Sequence, residues 1–328
     1  MGEMMKAVRQ TEAGGKLIIE SIPVPEPGPG EVLIKMAASP INPSDLANIS
    51  GDYLAKSWPF TPGLEGSGTI VKSGGGILPH LRMGKRVACS PLTGEDGTWA
   101  EYMKTSIMKT VPLHGDIEME MGSMMLVNPM TAMAFISLAK EGNHPAIVNN
   151  AAASSLGKML IRLAAKQSIP LISIVRKDEQ IEELKNMGAK HLLNSSSDDY
   201  PEKLYALSHQ LKASLFLDAV TGKETGRLLS AAPDGVTLVV YARLSGNPLQ
   251  ADPTDLIRRN INITGFQLGN WLNSKSTLYK LRFLGRVKKE MHGALSSRIH
   301  RIFPMEEVNQ AIALYKDKMS AGKVLLRL

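Results

Sequence analysis

From about residue 120 onward, short apolar segments alternate with amphipathic helical patterns along the chain. Segments such as "DEQIEELKNMGA" and "PEKLYALSHQLK" have the 3.6-residue period of helices. The predicted strands between such helices lie at residues 146–149, 170–175, 191–194, 214–219, 236–241 and 262–266. This alternation is typical of a parallel, doubly wound sheet with helices on both faces. We therefore predict an α/β domain of this type over residues 123–267.

The first third of the chain has a different pattern, in which Gly and Pro separate short β-type runs. The segment "KLIIESIPVPEPGPGEVLIKMAAS" predicts two strands around a Pro/Gly turn, and "GSGTIVKSG" and "GKRVACSPL" predict two more. After residue 270 the pattern predicts a helix, a strand around "RIHRIFP", the helix "MEEVNQAIALYKDKM" and a closing "GKVLLRL". We predict that residues 1–122 and 268–328 together form a mostly antiparallel β domain.

The first strand-to-helix turn of the alternating region, "VNNAAASSLGKML" at residues 148–160, contains one glycine, Gly157. In a doubly wound sheet this turn binds the dinucleotide, because it directs helix N–H groups at the phosphates. Alanine and serine are the smallest side chains after glycine, and the hydroxyls of Ser154 and Ser155 are hydrogen-bond donors. The stretch by itself fits a plain connection equally well. Its position along the chain favours a phosphate-binding turn.

Two cations, Arg176 and Lys177, follow the second strand of the alternating region. NAD-binding sites carry an acidic residue at this place for the ribose hydroxyls, whereas Arg accommodates the 2′-phosphate of NADP. The pair therefore favours NADPH as the cofactor. A solvated basic loop is the alternative interpretation.

Composition restricts the class of protein further. The chain has 328 residues, of which 43% are hydrophobic and 21% charged, as is typical of a globular protein with room for two domains. The net charge is +7, but the basic residues are dispersed and no aromatic-plus-basic motif accompanies them, so we expect no nucleic-acid partner. No apolar run has the length of a membrane span, and "MGEMMKAVRQTEAGG" lacks the pattern of a targeting signal. We predict a cytoplasmic protein with no membrane partner, in which Cys89 is a buried, inert thiol.

Several motifs together resemble the medium-chain dehydrogenase/reductase superfamily, and the resemblance covers essentially the whole chain. The motifs are "PGPGEVLIKMAASPINPSD" at 27–45, "PGLEGSGTIV" at 62–71, "GTWAEY" at 97–102, "NPMTAMAFI" at 128–136 and the closing "AGKVLLRL". The stretches "SPINPSDLANISGDY" and "NNAAASSLG" are most similar to the zinc-free branch of quinone oxidoreductases and 2-enoyl thioester reductases. The resemblance implies a GroES-like catalytic domain and a Rossmann dinucleotide-binding domain. It also implies a homodimer joined through the last strand of the parallel sheet, "NINITGF" at 260–266.

By position, the resemblance implies an NADPH site made of several short segments, with Asn128 and Thr131 near the nicotinamide. The other implied cofactor-binding residues are Ala153, Ser154, Ser155 and Leu156 in the pyrophosphate turn, Arg176 and Lys177 at the 2′-phosphate, and Tyr241, Ala242, Arg243, Leu244, Phe266, Gln267, Leu268, Gly269 and Lys323 in the cofactor cleft. The sequence "YARL" stands where relatives usually have a glycine pair. Arg243 therefore adds bulk beside the implied nicotinamide pocket.

The zinc ligands of other members of this superfamily are missing at the matching positions. A catalytic zinc site needs a thiolate, an imidazole and a third ligand, whereas this chain has "SPINPSD" in the cysteine region and Leu64 at the expected histidine. The cysteine-rich loop that holds a structural zinc is missing too, so we predict no metal site. Glu65, beside Leu64, is an inviting general base, but a structural carboxylate bonded to nearby backbone is the favoured interpretation.

Without a metal to polarise an alcohol, a substrate already activated for hydride addition is favoured: a quinone, an enone or a 2-enoyl thioester. The predicted function is the NADPH-dependent reduction of an activated C=C bond, with Tyr53 as the acid that protonates the α-carbon. Asn42 and Asp45 are expected to fix the loop that carries Tyr53. Two alternatives stay open: an NADPH:quinone oxidoreductase in which Tyr53 donates no proton, and a non-catalytic NADPH-binding protein.

Overall fold

The computed structural model describes residues 2–51 and 57–328, and its contacts divide the chain into two compact units. Unit 1 consists of residues 1–128 and 297–328, and unit 2 of residues 129–296. The predicted catalytic residue Tyr53 lies outside the described residues.

Strands and helices are numbered here in chain order. The strands are β1 (Met4–Arg9), β2 (Ile18–Pro23), β3 (Glu31–Pro40), β4 (Gly66–Ser73), β5 (Arg86–Cys89), β6 (Tyr102–Ser106), β7 (Thr110–Pro112), β8 (Ile147–Asn149), β9 (Leu171–Val175), β10 (His191–Asn194), β11 (Leu215–Asp218), β12 (Thr237–Val240), β13 (Asn262–Gly265), β14 (Ile299–Pro304) and β15 (Lys323–Arg327). The helices are α1 (Pro43–Ile49), α2 (Ile77–Leu81), α3 (Met119–Ser123), α4 (Asn128–Glu141), α5 (Ser155–Lys166), α6 (Asp178–Asn186), α7 (Tyr200–Gln210), α8 (Lys223–Ala231), α9 (Pro253–Arg259), α10 (Leu268–Asn273), α11 (Thr277–Glu290) and α12 (Val308–Asp317).

Unit 2 is built on a parallel six-stranded sheet with the order β10-β9-β8-β11-β12-β13. The strand order reverses at β8, which is the arrangement of doubly wound dinucleotide-binding sheets. One face of the sheet packs into a core that includes Val148, Ile172, Phe216 and Leu238. The six predicted strands are all present with ends within one residue of the prediction, and the predicted fold class is confirmed.

Unit 1 contains a mostly antiparallel sheet with the order β14-β15-β3-β4-β5-β7, in which β6 also pairs with β3. The antiparallel hairpin of β1 and β2 forms a separate two-stranded sheet. The closing strand β15 pairs with β3 in the middle of the larger sheet, so the end of the chain lies in the same sheet as the strands of the first third. This pairing brings residues 37–42 and 323–328 together.

The segment 268–296 groups with unit 2, whereas the sequence pattern assigned it to the domain of the first third. Aromatic packing accounts for the difference. Trp271 of α10 packs on Phe266, which follows β13, with ring centroids 6.3 Å apart, and on the buried Phe283 of α11 at 5.2 Å. A helical pattern alone does not indicate which sheet its apolar face will cover.

Candidate functional site

The turn between β8 and α5 is tight and built from small residues. Ala151 adopts a positive φ of 51°, and the N–H of Ala152 donates to the carbonyl oxygen of Ile174 on β9 at 3.0 Å. Ala153 and Leu156 are buried, while Ser154 and Ser155 are half-buried. The four residues implied for the pyrophosphate turn therefore form one continuous segment that runs from the turn into the first residues of α5.

Helix α5 begins at this turn with a well-formed N-terminus. The Ser154 hydroxyl accepts a hydrogen bond from the N–H of Gly157 at 3.1 Å, as an N-cap residue does. A Cβ on Gly157 would lie 2.3 Å from the carbonyl oxygen of Ala152, so only glycine fits there. The N–H groups of the first turn carry the positive end of the helix dipole, which fits a phosphate ligand.

Arg176 and Lys177 directly follow β9, the neighbour of β8, and both are exposed. Their backbone groups are engaged, since the N–H of Arg176 donates to Gln180 Oε1 at 3.1 Å. Among residues 2–51 and 57–328, neither side chain has a hydrogen bond or an ion pair. Two exposed cations at this strand end suit an anionic ligand.

The sequence analysis missed a polar network at the ends of the central strands. Asn150 donates through Nδ2 to Asp218 Oδ1 at 2.6 Å and accepts through Oδ1 from the N–H of Ala219 at 2.7 Å. Asp218 also accepts from the N–H of Thr221 at 2.9 Å and from the Thr225 hydroxyl at 2.6 Å. The network ties the start of the turn to the end of β11. The one signal in the sequence is a polar pair, Asn149-Asn150, that ends an apolar strand.

Aromatic side chains meet near the ends of β12 and β13. Tyr241 and Phe266 each pack edge-to-face on the buried Phe135 of α4, with centroid distances of 4.9 Å. The Tyr241 hydroxyl donates to Asn149 Oδ1 at 3.2 Å. Burial of the phenol, followed by the charge of Asp218, raises the pKa of Tyr241, which therefore stays protonated.

The other residues implied for this side of the cofactor site occupy α4 and two loops of unit 2. Buried Thr131 lies one helical turn before Phe135. Ala242 is half-buried, and Arg243 and Leu244 are exposed, in the loop after β12. Gln267 caps α10 by accepting from the N–H of Asn270 at 2.6 Å, and Leu268 and Gly269 begin that helix. The structure thus gathers Tyr241 and Phe266 around the Phe135 ring, with Thr131 four residues earlier on the same helix.

Unit 1 contains a buried cluster of charged and amide side chains. Asn42 is the N-cap of helix α1, and its backbone N–H donates to Asp45 Oδ2 at 2.8 Å. Asp45 Oδ1 accepts from the N–H of Leu64 at 3.0 Å. Burial raises the pKa of Asp45 from 3.8 to about 7, although these hydrogen bonds and Lys323 oppose the rise. Asp45 therefore ties α1 to the segment before β4.

Glu65 is the centre of this cluster. Its Oε2 accepts from the N–H groups of Leu126 at 2.9 Å and Val127 at 2.8 Å, and its Oε1 accepts from Asn42 Nδ2 at 3.0 Å. The interpretation of Glu65 as a carboxylate bonded to backbone is confirmed. Burial raises the pKa of Glu65, and the nearby ammonium of Lys323 acts in the opposite direction.

Lys323, which the resemblance implied for the cofactor cleft, is 2% exposed and belongs to the same cluster. Its ammonium donates to Asn42 Oδ1. Burial lowers the pKa of Lys323, while the charges of Glu65 and Asp45 raise it. Asn128, the other implied residue of unit 1, is half-buried and directly follows the segment that Glu65 holds.

Leu64, which stands at the expected histidine, has no side chain that can bind a metal, and its backbone N–H donates to Asp45. Within the described ranges no group of three or more His, Cys, Asp or Glu side chains is placed to hold a metal ion. Cys89 is fully buried, and burial raises the pKa of its thiol. A raised pKa keeps the thiol protonated and unreactive.

Comparisons with known families identify the chain. Residues 28–115 match the model of the alcohol dehydrogenase GroES-like domain, and residues 155–283 match that of the zinc-binding dehydrogenases. A mitochondrial enoyl-[acyl-carrier-protein] reductase from Xenopus tropicalis is 30% identical over 79% of this chain and 75% of the relative. The chain belongs to the medium-chain dehydrogenase/reductase superfamily. The resemblance stated from the motifs is thereby confirmed.

Two further members of the superfamily resemble the chain over most of their length. A human mitochondrial enoyl-[acyl-carrier-protein] reductase is 29% identical over 90% of this chain and 80% of the relative. A Mesorhizobium loti protein of known structure, assigned by inference as an NADPH:quinone reductase, is 32% identical with a TM-score of 0.91, covering 100% of this chain and 99% of that protein. The predicted enzyme class, an oxidoreductase of the medium-chain type, agrees with these relatives.

Proposed function

We propose that the protein is a zinc-independent, NADPH-dependent reductase of an activated C=C bond, with a 2-enoyl thioester as the favoured substrate and Tyr53 as the proton donor. The exposed cations Arg176 and Lys177, beside a capped phosphate turn, carry the cofactor part of this proposal. The names of the enoyl reductases from Xenopus and human support the substrate class.

The cofactor fits the residues present in unit 2. The absence of a side chain at Gly157 lets α5 start close to the backbone of Ala152. The N–H of Gly157 is taken by the Ser154 hydroxyl, which leaves the N–H groups of Ser155 and Leu156 in the first turn for a pyrophosphate. Arg176 and Lys177 supply positive charge at the strand end where a 2′-phosphate is bound in doubly wound folds. Tyr241 and Phe266 offer an aromatic wall around Phe135.

The reduction requires an acid that is still protonated at neutral pH, and it requires no metal. NADPH, when bound, supplies a hydride to the β-carbon of the substrate. The electron pair of the C=C bond then moves onto the carbonyl oxygen as an enolate, which collapses by taking a proton at the α-carbon. A tyrosine with its usual pKa of about 10 is protonated at neutral pH and can donate that proton. Leu64 in place of the histidine ligand supports zinc independence.

The test is the oxidation of NADPH with enoyl thioesters, enones and quinones by the wild-type protein and by Tyr53→Phe. The variant keeps the ring and loses the hydroxyl, so NADPH binding should survive while C=C reduction falls by about 10² to 10⁴-fold. Tyr205→Phe, at an exposed tyrosine of α7, is the matched control and should change nothing. A wild-type protein that binds NADPH and reduces none of these substrates would refute the proposal in favour of a non-catalytic binding protein.

Reduction of quinones is the second candidate function, favoured by the similarity to the Mesorhizobium loti protein. The reduced oxygens of a quinone can take protons from water, so Tyr53→Phe should affect this reaction little. Wild-type protein that reduces quinones alone, with Tyr53→Phe equally active, would establish this candidate instead.

The compartment stays a prediction. Within the described part of the chain, no helix has the length and apolarity needed to cross a membrane. The relatives from Xenopus and human are named as mitochondrial, whereas we predicted a cytoplasmic protein. Fractionation of the source cells with an antibody against the protein would decide between the two.

A further inference from the structure

A chain of hydrogen bonds crosses unit 1 from Lys323 to the segment 126–127. The Lys323 ammonium donates to Asn42 Oδ1, and Asn42 Nδ2 donates to Glu65 Oε1 at 3.0 Å. Glu65 Oε2 then accepts from two consecutive backbone N–H groups, those of Leu126 and Val127. Asn42 and Glu65 have no exposed surface and Lys323 is 2% exposed, so water has little access to the chain.

The donors at both ends of this series of hydrogen bonds fix the orientation of the side chains between them. An ammonium can only donate, so the side-chain oxygen of Asn42 must face Lys323 and its NH₂ group must face Glu65. Backbone N–H groups can only donate as well, so both carboxylate oxygens of Glu65 serve as acceptors. Every hydrogen bond that Glu65 receives stabilises its ionised form, against the effect of burial.

We propose that Glu65 is a positioning residue for the reaction: through its bonds to Leu126 and Val127, and with its own orientation fixed by Asn42 and Lys323, it holds Asn128 in place for the nicotinamide. This inference rests on the proposed function, because Asn128 is assigned to the nicotinamide by resemblance. Leu126 and Val127 are the two residues before Asn128, so loss of the carboxylate frees the backbone that leads directly to it.

A single substitution at Glu65 or Asn42 should disrupt this series of hydrogen bonds. In Glu65→Gln, the side chain carries one oxygen and one NH₂ group. If the NH₂ group lies on the side of Leu126 and Val127, it faces two backbone donors, and if it lies on the other side, it faces the NH₂ group of Asn42. In both orientations donors face each other. Asn42 cannot turn to relieve this, because its oxygen is held by Lys323. In Asn42→Asp, two carboxylates face each other across the former 3.0 Å hydrogen bond.

Combining the two substitutions should restore a complete series of hydrogen bonds. In Asn42→Asp/Glu65→Gln, Asp accepts from Lys323 and from the new amide NH₂, while the amide oxygen accepts from Leu126 and Val127. The number of charges stays the same. Asp45 is bonded to the backbone N–H of residue 42, not to its side chain, so its bond persists in the double variant.

The experiment is a double-mutant cycle with three measurements: kcat at saturating NADPH, the unfolding temperature, and the fluorescence of bound NADPH. Each single variant should lose about 10 to 100-fold in kcat, since small misplacements of positioning groups have effects of this size. The unfolding temperature of each should fall, and the nicotinamide emission should change. All three quantities should return toward wild-type values in the double variant. Asp96→Asn, which removes the carboxylate charge that pairs with the Arg9 guanidinium at 2.9 Å, is the control and should lower the unfolding temperature alone.

Two results would overturn the proposal. If the single variants lose stability but keep kcat and the emission of bound NADPH, Glu65 has a structural role only. If the double variant regains none of the losses, the hydrogen-bond chain does not fix the orientation of Glu65. A wild-type protein that binds NADPH but reduces no substrate refutes the proposed function instead, and the fluorescence cycle then decides on the positioning role.

Discussion

The carbonyl oxygen of Ala152 occupies the place where residue 157 would carry a side chain: a Cβ built on Gly157 lies 2.3 Å from it. The first turn of α5 therefore packs directly against the backbone of the turn that precedes it. In a turn where alanine and serine stand at the other positions, this is the contact that requires glycine.

Gly157→Ala should accordingly destabilise the protein and weaken NADPH binding. The methyl group must push α5 away from the turn, at a cost of about 1 to 3 kcal/mol in the free energy of unfolding. Gly285→Ala in α11 is the matched control, because nothing lies within 4 Å of its Cβ position. That variant should gain about 0.5 to 1 kcal/mol from helix propensity. Urea unfolding of both variants, with and without NADPH, measures these effects, and equal behaviour would contradict the close contact.

Arg176→Ala should weaken NADPH binding and leave NADH binding almost unchanged. A charge-assisted hydrogen bond to phosphate contributes about 1.5 to 3 kcal/mol, so the loss should be about tenfold or more in Kd. Arg282→Ala, at an exposed arginine of the same unit, controls for the loss of one surface charge. Titration of protein fluorescence with each cofactor gives the dissociation constants. Equal affinities of the wild-type protein for NADPH and NADH would rule out a 2′-phosphate site at this residue.

Asp45 should make the protein less stable as the pH rises through the weakly acidic range. Burial raises its pKa from 3.8 to about 7, so the native protein holds this proton more tightly than the unfolded chain does. The contribution of Asp45 to stability is greatest below pH 4, declines as the pH rises to about 7, and is constant above that. The shift corresponds to roughly 4 kcal/mol at most.

The difference between the wild-type protein and Asp45→Asn isolates this effect from other titrating groups. The charged groups that act on Asp45 are Glu65, which raises its pKa, and Lys323, which lowers it. The wild-type protein should lose stability relative to Asp45→Asn between pH 4 and pH 7. Two parallel curves of unfolding free energy against pH would show that Asp45 is ionised in the native protein throughout.

The protein should form a homodimer through β13. This strand is the last in the order of its sheet, and its outer edge has no partner strand within the described part of the chain. An unpaired edge is a template for pairing with a second copy, and lysine on such an edge prevents pairing. Thr264→Lys, at an exposed position of β13, should shift the protein to the monomer, whereas Ser230→Lys, at an exposed position of α8, should not. Light scattering at micromolar concentration measures both, and a wild-type monomer would contradict the prediction.

Prediction from the sequence was accurate where the signal is local. The strand at 191–194 was predicted with its observed bounds, and β8 and β9 within one residue, because apolar runs and helical periods are properties of neighbouring residues. The segment 268–296 was assigned to another domain than the one it packs in. The period of α11 marks Phe283 as buried, but the pattern does not say whether Trp271 or a strand of the other unit will cover it.

By itself the sequence determined the alternation of strands and helices, the small residues of the turn at 151–157 and the two cations after β9, since all of these depend on residues adjacent along the chain. Only the tertiary structure decided the partners of Glu65 and Lys323. Glu65 meets Leu126 across 61 positions, and Lys323 meets Asn42 across 281. A buried charge must find its partners wherever the sheet brings them, and the pairing of β15 with β3 is what brings Lys323 beside Asn42.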